Sequence, residues 1–430
     1  MEESLSISLP YDKGTVNFSI PAKKFLGFIT PRTISPLRDI PQAIESALNS
    51  PINFPSFDAF LEKGDKVAII VSDLTRYTGA HLFLPHLITR MSQRGISEKD
   101  ISLVFALGIH RPLTSEEQKK IVGEEVAGSI QMENHDINNH DTLVTLGKTR
   151  RGTPVTINRR IAEADKVILT GTIGFHYLAG FGGGRKSIIP GVASYDGCVA
   201  THLLVLNPEK PGRHPQARTG NLKGNPMHED MMEVCRALPP KFLFNTVLSP
   251  EYDILFLAAG HWETAFYSGC QFIDHHFKIP IPQPADLVIV SCGGFPRDIN
   301  FIQSHKTFDY AMNALRPEGV MILVAACSEG VGHPDFYNWL QFDNLQEMES
   351  HLRERFQING QTVYATLLKA KKANVFLLSE LPEPTVQAMS MTPVHSIEDA
   401  LSRAYQVLGK TPSTYVIPHG SVVLPWAGKD

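Results

Sequence analysis

Short apolar runs rich in β-branched residues, each followed by a polar loop and an amphipathic stretch, recur along this chain. They limit its fold more than any other feature. Lys66 to Val71, Ile101 to Leu107 and Lys166 to Thr170 form one series. Leu287–Val290, Val320–Ala325, Val375–Leu378 and Tyr415–Ile417 form a second. Runs of this length are strand-sized, and amphipathic stretches between them predict βα units around mostly parallel sheets. Pro85 to Arg94 predicts part of a helix in the first series. Lys306–Leu315, Leu345–Phe356 and Ile397–Leu408 predict helices in the second. Ahead of both series, Leu5 to Ile20 alternates around Asp12-Lys13-Gly14 and reads as a hairpin.

The expected fold is therefore α/β with two domains, each a mostly parallel sheet flanked by helices. A chain of 430 residues is long enough for two such cores. Pro280, Pro282 and Pro284 cluster between the series and mark a stiff junction. That places a first domain at 1–275 and a second at 276–430, with the active site in the cleft between them.

Composition narrows the function. Forty Lys and Arg against 44 Asp and Glu give a net charge of −4, which supports neither a nucleic-acid nor a membrane-surface role. No apolar run approaches the ~20 residues of a membrane span, and no signal peptide is apparent at the start. Five cysteines without a close pair suit neither a disulfide framework nor a CxxC site, so a cytoplasmic, reducing setting is expected. The basic run Lys369, Lys371 and Lys372 reads as a solvated helix end.

The densest unusual segment is Gly171 to Gly191. It contains Gly182, Gly183, Gly184, Arg185 and Lys186 just past a predicted strand. Successive glycines permit close backbone approach and bare N–H groups that can hold an anion, with Arg185 and Lys186 adding charge. The segment is not a P-loop, since Arg185 stands where glycine must precede Lys-Ser. A purely structural tight turn and a phosphate contact both remain open, and an amine there also admits covalent chemistry.

Seventeen histidines are unusually many. His110 falls just after the strand ending at Leu107, where α/β sheets place ligand crevices. His176 also follows a strand, and His202 follows the glycine loop. Each alone is as readily structural as functional. His135 and His140 look exposed, and adjacent His275 and His276 point apart. Ser72 to Arg76 follows the first strong strand; Arg76 there can grip a carboxylate or phosphate, oriented by Asp73. Gln303 and Lys306, three apart, share one face if their segment is helical.

Taken together, these pieces resemble the nickel-pincer-dependent lactate racemase family of 2-hydroxy-acid racemases and epimerases. The resemblance rests on Ser72-Asp-Leu-Thr-Arg76, Gly108-Ile-His-Arg-Pro112, the block His176 to Gly191, His202, Ala217 to Leu222, and Gly293 to Pro296 with Gln303 and Lys306. It implies an isomerase that inverts C2 of a 2-hydroxy acid by reversible hydride transfer to a nickel-pincer nucleotide. That cofactor is pyridinium-3,5-bisthiocarboxylic acid mononucleotide with nickel, joined covalently to Lys186, with His202 as the protein's metal ligand. Asp73, Thr75, Gly182, Gly183, Gly184 and Arg185 would help hold it. His110 and His176 would be the acid–base pair, and Arg76, Gln303 and Lys306 would hold the substrate. Proteins that make the cofactor are implied partners. Gln361 aligns locally with a tryptophan expected in the substrate pocket of the lactate enzymes. An amide there implies a substrate larger or more polar than lactate. Lactate racemase proper, and a phosphotransferase using the glycine-rich loop, are the alternatives.

Overall fold

The computed structural model describes residues 3–428 except 240 and 343. The chain divides into two compact units. The first comprises Ile34–Leu206 and His214–His275; the second comprises the residues up to Thr33, Asn207–Arg213 and those from His276 onward.

The first unit is built on a six-stranded sheet. Its order is Ile254–His261, Lys241–Leu248, Lys166–Thr172, Val67–Ser72, Ile101–Ala106, Gln131–Asn134. All neighbours are parallel except the outer Ile254–His261. Val67 to Val71 are all buried, as expected of a parallel strand covered on both faces. The helix Ala80–Gln93 turns Phe83, Leu84, Leu87 and Met91 onto one side of the sheet, where Ile69, Phe105 and Phe244 await them. From Val67–Ser72 the chain moves outward through Ile101–Ala106 to Gln131–Asn134, then reverses to the other side of the first strand at Lys166–Thr172. That reversal creates a crevice beyond the carboxyl ends of Val67–Ser72 and Lys166–Thr172. Such switch points are where open α/β sheets bind ligands.

The second unit has its own six-stranded sheet, all parallel, in the order Thr392–Val394, Asn374–Leu378, Leu315–Val324, Ala285–Ser291, Thr414–Ile417, Phe25–Phe28. The helix Ile397–Leu408 is capped by Ser396, whose side chain accepts from the Asp399 N–H at 3.1 Å. The hairpin Ser4–Tyr11 and Gly14–Pro21 lays Ile7, Leu9, Phe18 and Ile20 into the same core as Leu287, Ile322 and Val416. The Asp12 N–H at its turn donates to the Asp298 carboxylate at 2.8 Å.

These contacts alter the expected partition in two places. Residues 3–33 belong to the second unit, because Phe25–Phe28 pairs with Thr414–Ile417. Asn207–Arg213 also belongs there. Its Gly212 N–H donates to Glu349 at 2.8 Å, its Asn207 carbonyl accepts from Arg353 at 2.7 Å, and Arg213 lies 3.3 Å from Asp309.

The helices expected in the second series are found as Phe301–Ala311, Leu345–Glu354 and Ile397–Leu408. One surface expectation needs correction. Lys369 is not a solvated end; its ammonium reaches the buried Asp309 carboxylate at 2.5 Å. Only Lys371 and Lys372 are exposed. His135 is likewise buried, 2.9 Å from the Ala193 carbonyl, while His140 is exposed. Among the described residues, no helix is long and apolar enough to cross a membrane.

Candidate active site

The switch-point crevice of the first unit gathers most of the residues singled out above. Ser72 ends its strand, and the chain turns at once through Asp73, Thr75 and Arg76. Asp73 is buried, and its carboxylate organises the turn. One oxygen accepts from the Thr75 N–H at 2.9 Å and the Thr75 hydroxyl at 2.6 Å. The other accepts from the Arg76 guanidinium at 3.1 Å and from His110 Nδ1 at 2.5 Å. Burial alone would raise the Asp73 carboxyl. The hydrogen bond from His110 and the nearby Arg76 charge outweigh it and hold the group well below the usual carboxylate range. Arg76 is more than half exposed, so its guanidinium is open to solvent and ligands.

His110 stands on the neighbouring loop, past Ile101–Ala106. A carboxylate at Nδ1 requires Nδ1 to carry the proton, so the Nε2 lone pair is the ring's acceptor. His176 is held the other way. It pairs with Gly180 in a tight two-stranded turn, and its Nδ1 accepts from the N–H groups of Leu178 at 3.2 Å and Ala179 at 3.1 Å. A neutral ring accepting at Nδ1 carries its proton on Nε2. The partners of the two histidines thus assign them opposite tautomers.

Lys186 lies on the single turn Gly184–Ser187 after the glycine loop. His202 lies in the last turn of the helix Tyr195–Leu203, which Ser194 caps. The His202 Nδ1–H donates to the Cys198 carbonyl at 2.7 Å, leaving the lone pair on Nε2. Burial first, and the nearby Lys186 charge second, push His202 down to about 4, so it is a neutral imidazole at ordinary pH. A neutral ring with a fixed tautomer beside a primary amine is a donor set suited to one metal–histidine bond and one covalent attachment.

The glycine loop departs from the expected anion nest. The Gly182 N–H donates to the Gly174 carbonyl at 2.8 Å, and the Gly184 N–H donates to the Asn245 side chain at 2.8 Å. A Cβ at Gly183, φ 72°, would stand 2.7 Å from Asn245 Oδ1, and one at Gly184, φ 53°, would stand 2.7 Å from the Phe266 ring. These glycines allow the loop to press onto the protein. Arg185 is turned inward too. It is fully buried and donates to the carbonyls of Ala179 at 2.8 Å and Gly183 at 3.3 Å and to His228 at 3.1 Å. Its guanidinium lies 4.3 Å from the centre of the Phe266 ring. The charge expected to face a ligand instead braces the loop that carries Lys186.

Asn245 and His228, which hold this loop, were not anticipated from the sequence. Asn245 had a signal: it is the first polar side chain inside the apolar run Phe242 to Val247, and a buried amide must find partners.

Gln303, Lys306 and Gln361 belong to the second unit. Gln303 and Lys306 share a face of Phe301–Ala311, and the Lys306 ammonium donates to Gln303 at 2.9 Å. Gln361 is buried in the helix Ile358–Ala370, one residue past Gly360, whose backbone lies against the Trp339 ring.

Known proteins resemble this chain over nearly its whole length. The Lactate racemase N-terminal domain family matches residues 11–212 and the Lactate racemase C-terminal domain family matches residues 281–424. The chain is 30% identical over 429 residues to the lactate racemase of Thermoanaerobacterium thermosaccharolyticum, covering 97% of this chain and 99% of that one. It is 30% identical over 432 residues to the lactate racemase of Lactiplantibacillus plantarum, covering 98% and 99%. The solved structure of the T. thermosaccharolyticum apoprotein superposes with a TM-score of 0.89 at 29% identity, over 98% of this chain and 100% of that one. A Thermotoga maritima protein shares the fold at 18% identity, with a TM-score of 0.64 over 90% of this chain and 97% of its own.

Proposed function

Because the chain belongs to the lactate racemase family, we propose that it inverts C2 of a 2-hydroxy acid with His110 and His176 as its acid–base pair. The observation that carries this reading is the pattern of Nδ1 partners, which assigns the two rings opposite tautomers. His110 presents a lone pair at Nε2 and His176 a proton at Nε2. One ring is ready to take the substrate's hydroxyl proton and the other to return one to the oxygen. Inversion needs both, since the oxygen is approached in two senses.

Lys186 and His202 fit the attachment point and the metal ligand of a nickel-pincer nucleotide, whose phosphate would need donors other than the inward-turned Gly182, Gly184 and Arg185. When bound, that group supplies a reversible acceptor for the C2 hydride. The chain's own residues do the rest. His110 Nε2 removes the hydroxyl proton, and the Asp73 carboxylate stabilises the imidazolium that results. His176 Nε2–H would deliver a proton to the oxygen presented in the opposite sense. In the reverse sense the two rings exchange roles, and proton exchange with water resets them. Arg76 offers a planar pair of donors to the substrate carboxylate. Gln303 and Lys306 are the proposed donors to the carboxylate or the reacting oxygen.

For the substrate we favour a 2-hydroxy acid larger or more polar than lactate, because a carboxamide at Gln361 offers a smaller and more polar wall than an indole. Lactate is the second reading, favoured by the names of the relatives. The phosphotransferase alternative loses its basis, since Gly182 and Gly184 direct their N–H groups into the protein.

The test is a screen of enantiopure 2-hydroxy acids for loss of optical purity, using protein co-expressed with the proteins that make the cofactor. Racemisation or C2 epimerisation of a longer hydroxy acid supports the proposal. Activity confined to lactate refutes the substrate class. No activity on any member, from protein shown by intact mass to be loaded, refutes the reaction.

A further inference from the structure

The residues proposed for catalysis in the first unit lie past the carboxyl ends of its parallel strands. At the opposite edge, where Lys166–Thr172 and Lys241–Leu248 begin, lies a separate cavity of about 270 Å³. The seven residues of Lys166–Thr172, at ~3.3 Å each, put roughly 20 Å between the two edges. Phe54, Phe60 and Trp262 supply apolar walls to this cavity, and Lys166, Lys241 and His261 supply its polar groups.

Lys241 is the unusual member. It is only 7% exposed. Its ammonium donates to the carbonyls of Leu238 at 2.9 Å and Pro239 at 2.8 Å, and stands 5.5 Å from the centre of the Trp262 ring. An ammonium has three hydrogens, so one donor remains after these carbonyls. Among the described residues, no carboxylate lies within ion-pair distance of it. Enclosing an ammonium without a counter-charge is unfavourable, and burial accordingly shifts Lys241 toward the neutral amine. Lys166 stands 5.6 Å from the centre of the Phe60 ring. Its carboxylate partner, Glu62 at 3.3 Å, is 78% exposed, so that pairing is weak and screened. The His261 Nδ1 is enclosed and has no hydrogen-bond partner. The cavity therefore combines a surplus of positive charge, an idle ring nitrogen and three aromatic faces.

We propose that this cavity binds a small, flat monocarboxylate, an aromatic acid of a single ring, with its carboxylate on Lys241 and Lys166 and its ring against Phe54, Phe60 and Trp262. The carboxylate supplies the missing counter-charge. The ring suits walls that favour offset or edge-on aromatic contact. The volume sits just below the ~300 Å³ at which sites for drug-sized ligands begin, which favours one ring over a nucleotide.

The probe is benzoate, followed by calorimetry in the full-length protein. Because Arg76 is itself a proposed carboxylate ligand, the measurement is repeated in Arg76→Ala. Benzoate is expected to bind with unchanged affinity in Arg76→Ala and about tenfold more weakly in Lys241→Met, a loss of ~1.4 kcal/mol. Benzyl alcohol, with the ring but not the charge, is expected to bind weakly. Should Lys241→Met fail to fold, Lys166→Met gives the same reading from the cavity rim. Three results overturn the proposal: no binding of benzoate, binding lost in Arg76→Ala, or binding unchanged in the folded lysine variant. Each is independent of whether the racemase reading holds.

Discussion

Nδ1 of His110 lies 2.5 Å from the buried carboxylate of Asp73, at the ends of two adjacent parallel strands. This one contact fixes the ring's tautomer and supplies the counter-charge for its protonated form. Asp73→Asn keeps the shape but offers an amide that can donate to Nδ1, which moves the proton to Nε2 and disables the base. Turnover of both enantiomers should fall by roughly 10²–10⁴-fold. Intact mass should show cofactor loading unchanged. Parent-like turnover in Asp73→Asn would remove the carboxylate from the mechanism.

Lys186 and His202 make separable predictions. Lys186→Ala should abolish the mass increment acquired on co-expression with the cofactor-making proteins. His202→Ala should keep that increment but lose most of the nickel, with an unchanged circular dichroism spectrum. A His202→Ala protein with full nickel content would show that the metal is held elsewhere.

The packing of the glycine loop is tested by stability alone. Gly184→Ala would place a methyl group 2.7 Å from the Phe266 ring at a φ of 53°. Overpacking of this kind costs about 1–3 kcal/mol. A lower melting temperature is expected, partly restored by Phe266→Leu. A Gly184→Ala protein as stable as the parent would mean that the loop is not pressed onto the Phe266 ring.

Acid stability follows from His305 and His228. Burial first, then neighbouring cations, push both down to about 3, while Asp309 opposes the shift at His305. The unfolded chain, with histidines near 6.5, therefore binds more protons than the fold below that value. The stabilisation is complete above pH 6.5 and declines as pH falls toward 3, by at most ~1.4 kcal/mol per pH unit for each ring. Chemical denaturation at pH 7.5 and pH 5 measures it. Replacing His305 by Asn should flatten the difference; an equal or steeper loss would contradict a neutral buried ring.

Much of the fold was legible because local pattern and tertiary need agreed. Ile397–Leu408 begins after a Ser cap and keeps one apolar face, so its ends were readable. The strands were readable from β-branched runs. Phe25–Phe28 was not, because four residues carry no period and their partner lies near the other end of the chain. The site followed the same rule. His110, His176, Lys186 and His202 were visible as reactive types in unusual local settings. Arg185 was visible as a charge, but its inward direction depends on Ala179, His228 and Phe266, which no local pattern joins to it. Lys369 was misjudged for the same reason: its partner Asp309 sits 60 residues away.

The pairing of Phe25–Phe28 with Thr414–Ile417 has a consequence for synthesis. Phe25–Phe28 leaves the ribosome well before its partner strand is made. The first unit, complete by His275, can close around its sheet in the meantime. A chain cut short between His275 and Thr414 would therefore carry a finished first unit and an orphaned strand at Phe25–Phe28. Phe25–Phe28, rather than the cut end alone, would be the segment left with an unpaired edge.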